Sequence, residues 1–175
     1  MIEEGQKAPD FALPGVEGGT PAVYELFRPI EDGDAVLLWF VPATFIPTAT
    51  AELRAIEEAG WHGVPGLRVW VLTMDSIYAA AAYADRYGLS MAFLGDGRSA
   101  ANYYGAEYDE WEGHYGAPKR AVFLVDTDWR VGFRWTTEDA FATPTPSPVD
   151  RIAEPIRERF SAAERPPSVE YDSIG

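Results

Sequence analysis

Few side chains in this sequence are equipped for covalent or acid-base chemistry, and their spacing narrows what they could do. Thr48 and Thr50 flank Ala49 where helical spacing begins, and Glu52 follows within a turn. A threonine hydroxyl attacks only when a base activates it, and Glu52 sits at an offset better suited to solvent or to a structural pair, so a threonine nucleophile is poorly served. His62, in Gly60-Trp61-His62-Gly63, reads as a surface histidine. His114 lies in Glu110-Trp111-Glu112-Gly113-His114-Tyr115, where it either shares a divalent metal with the carboxylates or belongs to a solvated loop. Arg120 opens an apolar run and offers a guanidinium to an anion or a carboxylate. Cysteine is absent from all 175 residues. That removes thiolate nucleophiles, redox dithiols, disulfides and Cys-ligated iron or zinc.

The elements that must position these groups follow from periodicity. Residues 35–41 (AVLLWFV) form an unbroken apolar run of strand formers closed by Pro42, as in a strand covered on both faces. From Thr48 the spacing turns helical, with Leu53, Ile56 and Ala59 on one face, Glu52, Glu57 and Glu58 largely outside it, and Gly60 as the stop. A second strand is predicted over 67–73 and a helix over 77–87, ended by Gly88. A short strand over 91–94, a brief helix over 98–104, a buried strand over 121–125, a hairpin arm over 130–135 and an amphipathic helix over 149–160 complete the order. The fold class is α/β, a mixed sheet with helices on both faces. One domain is predicted over 1–160, with 142–148 (ATPTPSP) as a polyproline-like connector. Residues 161–175 form a polar tail, either mobile or laid over a partner.

Five segments in order resemble the peroxiredoxin family, in its alkyl hydroperoxide reductase and thiol-specific antioxidant (redoxin) branch. Gly5 to Pro14 is similar to its opening G-x-x-A-P-x-F-x-L; Phe40-Val41-Pro42 with Phe45 to Leu53 is similar to its active-site strand, proline and first helical turn. Val71 to Ser76, Arg120 to Asp126 and Phe133-Arg134-Trp135 resemble later strands of the family. The resemblance implies a thioredoxin-like fold. It also implies a site at the mouth of the helix, where a Cys thiolate is stabilised by the helix N-terminus and an Arg, a Thr three residues earlier holds the peroxide, and a Pro shields the thiolate. Aligned on Pro42 and Glu52-Leu53, the Pro matches Pro42, the Thr position is Ile46, the Cys position is Ala49 and the Arg matches Arg120. What remains is a vestigial peroxidatic site, because no sulfenic acid forms without sulfur.

Two origins fit that vestige: a naturally degenerate site, or a thiol peroxidase in which the catalytic Cys has been replaced. The second change, Ile46, makes the site more apolar and favours the first. An emptied site with Phe40, Phe45, Ile46 and Trp135 around Arg120 would be a shallow pocket for a small anion or a carboxylate with a hydrocarbon tail. Alternatively these aromatics are core, and Arg120 pairs with a carboxylate such as Glu52. No cofactor or metal is called for. The resemblance further implies a homodimer or pairing with a related redoxin, to which Tyr103-Tyr104 and residues 108–115 are suited as interface aromatics.

Charge bounds the remaining partners. With 28 Asp plus Glu against 14 Lys plus Arg, the formal net charge of -14 repels phosphate backbones and anionic lipid, which argues against nucleic acid and membrane surfaces. Only Lys7 and Lys119 are lysines, and the acidic excess is spread along the chain, as in proteins of salt-rich cytoplasm. The opening Met-Ile-Glu-Glu lacks the basic and apolar regions of a secretory leader, so a cytoplasmic location is expected.

Overall fold

The computed structural model describes residues 1–96 and 99–173. Seven strands form one mixed sheet: β1 (Ala12–Glu17), β2 (Thr20–Glu25), β3 (Ala35–Phe40), β4 (Leu67–Thr73), β5 (Ala92–Gly95), β6 (Arg120–Val125) and β7 (Val131–Thr137), in spatial order β2-β1-β5-β4-β3-β6-β7. The three parallel neighbours β3, β4 and β5 need crossovers, which α2 (Pro47–Ala59) and α3 (Ile77–Tyr87) supply. β6 and β7 close one side as the antiparallel hairpin expected across the turn at 126–128, and β1 and β2 close the other. Short helices α1 (Phe27–Glu31) and α4 (Ala100–Tyr103) and the long α5 (Pro148–Arg159) complete the fold.

β3 is buried along its whole length, as its apolar run requires. Its side chains alternate between two cores. Leu37 and Trp39 face α2, α3 and α5, while Val36, Leu38 and Phe40 face α1, α4 and the N-terminal segment. Helices thus cover both faces, as predicted. α2 stops at Gly60, whose φ of 70° is the left-handed conformation that glycine adopts without a Cβ penalty. α5 begins at a reciprocal cap in which Ser147 Oγ accepts from Asp150 N and Asp150 accepts from Ser147 N.

The fold departs from, or adds to, the sequence reading at three places. α4 begins at Ala100, and the Arg98 end of the helix predicted over 98–104 lies outside the described residues. α1 was not foreseen; at five residues it is too short for an apolar periodicity to show. The segment after α5 is laid over this chain itself: Ala163 is buried, Val169 packs on the core, and the Trp61 indole Nε1 donates to Glu164 O at 2.9 Å.

Candidate functional site

The site sits where β3 hands over to α2. Val41 N donates to Leu72 O at 2.9 Å, and Thr44 donates from both N and Oγ1 to Asp75 Oδ2, at 2.6 and 2.8 Å, so the loop after Pro42 is fixed to the end of β4. Phe45 takes φ of 65°, a left-handed conformation uncommon for a bulky residue, and its half-exposed ring packs edge-on against Tyr83 and Tyr87 of α3. Ile46 caps α2 in extended backbone without a side-chain hydrogen bond, and Pro47 opens the helix where a missing N–H costs nothing. Ala49 stands in the first turn, 2% exposed, near N–H groups that the helix itself cannot satisfy.

Neither flanking hydroxyl is available for attack. Thr48 Oγ1 donates to Ala140 O at 2.8 Å. Thr50 Oγ1 donates to Ile46 O at 2.9 Å, which leaves the Tyr83 hydroxyl, 2.6 Å away, to donate to Thr50. Both threonines are buried. Burial pushes the Tyr83 phenol up to about 12.

Arg120 lies on the same face of the sheet as Ala49: Val122 and Leu124, which alternate with it along β6, share the core of Ala49, and the Thr48 hydroxyl next to Ala49 reaches the same Ala140 carbonyl that Arg120 does. Its Nη1 donates to Ala140 O at 3.1 Å and to Ala142 O at 2.7 Å. Nε and Nη2 donate to the two carboxylate oxygens of Glu52, at 2.8 and 3.0 Å, in a bidentate pair with both side chains fully buried. The guanidinium lies 5.5 Å from the centre of the Trp135 ring. The Tyr171 hydroxyl donates to Glu52 Oε2 at 3.3 Å. Burial pushes the Glu52 carboxyl above its ordinary value, while the hydrogen bonds and charge of Arg120 pull it back.

The pocket expected around Arg120 is therefore not formed. Of its proposed lining, Ile46 and Trp135 pack on the α2 side, but Phe40 is buried on the opposite face against Phe123 and Tyr104, and Phe45 turns to α3. Arg120 has no exposed surface and its fork is committed, so it presents nothing to a dissolved carboxylate. Glu52, expected largely outside the buried face, is the partner that fills the fork. The signal was present: Glu52 lies three residues after Ala49 and four before Ile56, which places it on their face.

The remaining polar candidates stay apart from this site. His62 Nδ1 lies 3.6 Å from Glu57 Oε2, an ion pair only when the ring is protonated. His114 is exposed and pairs through its backbone with Trp111. Among the described residues, no three His, Asp or Glu side chains come together as a metal would require.

Comparison with known proteins gives consistent findings. The sequence profile described as the AhpC/TSA family matches residues 4–134. A protein of Coxiella burnetii (strain RSA 493 / Nine Mile phase I) described as "Putative peroxiredoxin bcp" is 29% identical over 139 residues, covering 77% of this chain and 88% of its own. The "Selenocysteine-containing peroxiredoxin PrxU" of Peptoclostridium acidaminophilum is 26% identical over 136 residues, 73% of this chain and 64% of its own. Among solved structures, the reduced Plasmodium vivax 2-Cys peroxiredoxin superposes with a TM-score of 0.72 at 22% identity, over 89% of this chain and 97% of that one. Enterococcus faecalis AhpC gives 0.72 at 20% identity, over 92% and 97%. At such identities the structural likeness speaks for the shared fold.

Proposed function

The chain belongs to the AhpC/TSA family and has a thioredoxin-like fold, and from that premise we propose that it lacks thiol peroxidase activity and works as an interaction module. One observation carries this reading: an alanine methyl, Ala49, stands in the first turn of α2, three residues before the Glu52 that pairs with Arg120, in a chain without a single cysteine. Peroxide reduction by a thiol begins with transfer of one oxygen to a thiolate sulfur, and no atom at this position can accept it. The peroxide-orienting hydroxyl is missing as well, since Ile46 stands in its place and the nearby threonine hydroxyls are bonded elsewhere. Pro42, Ile46, Ala49 and Arg120 are on this reading the remains of a peroxidatic site whose Arg now has a structural task.

A small-anion site at Arg120 finds no support in a guanidinium that is buried and occupied, so the retained function lies on the surface. The acidic excess suits a salt-rich cytoplasm, where screening relieves self-repulsion, and a homodimer or a pair with a related redoxin is the assembly proposed. No helix among the described residues is long and apolar enough to cross a membrane. The test is hydrogen peroxide consumption with dithiothreitol as reductant. The rate should equal that of dithiothreitol alone, and turnover proportional to protein concentration would overturn the reading. Light scattering in molar KCl reads the assembly, and a strict monomer there would count against pairing.

A further inference from the structure

Arg120 holds more than Glu52. By clamping the carbonyls of Ala140 and Ala142 it fixes the backbone on either side of Phe141, whose ring is 47% exposed. The Phe141 ring lies over Trp111 at 6.4 Å between centroids and 28° between planes, and Trp111 lies over Tyr108 at 6.4 Å and 17°. Three near-parallel rings from two separate loops thus make a platform at the surface. Around it stand the exposed carboxylates of Asp109, Glu112, Glu138 and Asp139. Of these, Asp109, Glu112 and Asp139 hold no ion pair among the described residues. The platform already handles one cation in this way: Lys119 Nζ lies 5.9 Å from the Tyr108 ring centre and 2.8 Å from Glu138 Oε1.

We propose that this face binds an arginine-rich segment of another protein, with a guanidinium stacked on Phe141 and Trp111 and its neighbours paired to the rim carboxylates. Arginine fits better than lysine because its planar, weakly hydrated fork stacks on a ring while still donating to a carboxylate. A second copy of this chain fits worse, since face-to-face contact would set one group of carboxylates against another in a protein of net charge -14. The inference rests on the interaction reading above and gives this face a partner other than a second copy, leaving the proposed pairing to another surface; a peroxide assay and a binding assay fail independently of each other.

Isothermal titration with an oligoarginine peptide and an oligolysine peptide of equal length tests it. The arginine peptide should bind about tenfold more tightly, and Phe141→Ser should bring the two within about threefold of each other. The double variant Glu31→Gln with Glu158→Gln, which removes two exposed charges elsewhere, should keep the preference. Circular dichroism of Phe141→Ser should match the parent. Equal affinities in the parent chain would reduce the effect to bulk charge and overturn the proposal. So would a preference that survives Phe141→Ser, or a dimer that Phe141→Ser dissolves, which would make the second copy the occupant.

Discussion

Glu52→Leu, Arg120→Met and the two together form a cycle whose outcome the site geometry fixes in sign and approximate size. Glu52 and Arg120 are fully buried, joined by hydrogen bonds of 2.8 and 3.0 Å, and Arg120 also serves two carbonyls. Glu52→Leu leaves a guanidinium in an apolar setting with no counter-charge, and Arg120→Met leaves a carboxylate likewise. Each should cost about 3–5 kcal/mol, the penalty for breaking one partner out of a buried pair. The double variant removes both charges and fills the space with apolar atoms of similar length, so neither desolvation cost survives. What it still loses is the donor to Ala142 O, about 1–3 kcal/mol for an acceptor left unmade, since Ala140 O keeps the Thr48 hydroxyl. The double should therefore lie about 1–3 kcal/mol below the parent, far short of the summed singles. Equilibrium urea unfolding followed by tryptophan fluorescence reads all three. Additive losses, or singles costing under about 1 kcal/mol, would mean that the pair is solvated and that Arg120 is free for other work.

Other consequences are read on the same protein. Tyr83 is pushed up to about 12 and Tyr104, whose hydroxyl donates to Pro9 O, is raised further by burial, so the folded chain holds these protons above the ordinary phenol value while the unfolded chain releases them. Stability should be unaffected by these groups below about pH 10 and fall as pH rises above it; phenolate absorbance should show them ionising only with unfolding, and independent early titration of all nine tyrosines would contradict this. Ser147→Ala removes a reciprocal cap at α5 and should cost about 1 kcal/mol in urea unfolding, whereas no measurable loss would deny the cap its role. Ending the chain after Phe160 strips the Trp61 indole of its acceptor and uncovers α2, so tryptophan emission should shift to the red and stability fall by about 2–3 kcal/mol; an unchanged spectrum would mean that the tail does not pack in solution.

Strands and helices that bury a continuous or periodic apolar face were legible in the chain. β4 and α3 were predicted to the residue, and Gly60 and Gly88 end their helices in left-handed backbone as expected. What periodicity does not carry is which side of a doubly covered strand each residue takes. In β3 every side chain is apolar, so Phe40 could be assigned to the α2 face when the alternation set by Leu37 and Trp39 sends it to the other. Glu52 illustrates a second limit: its burial depends on a guanidinium 68 residues away, so the sequence leaves it open between solvent and the pair with Arg120, and only the fold decides for the pair. The tail shows a third, because Ala163, Val169 and Tyr171 are too sparse to make a pattern and find their places only against the finished surface of α2.

The most direct measurement is the intact mass of the natural chain after brief exposure to one equivalent of hydrogen peroxide, followed by peptide mapping. With a methyl group where sulfur would stand, the mass should be unchanged on the seconds timescale, and any slow gain should map to methionines such as Met74, half-buried beside the loop at Pro42. Rapid gain of one oxygen within residues 42–53, reversed by dithiothreitol, would contradict the claim that the first turn of α2 offers no acceptor for peroxide oxygen.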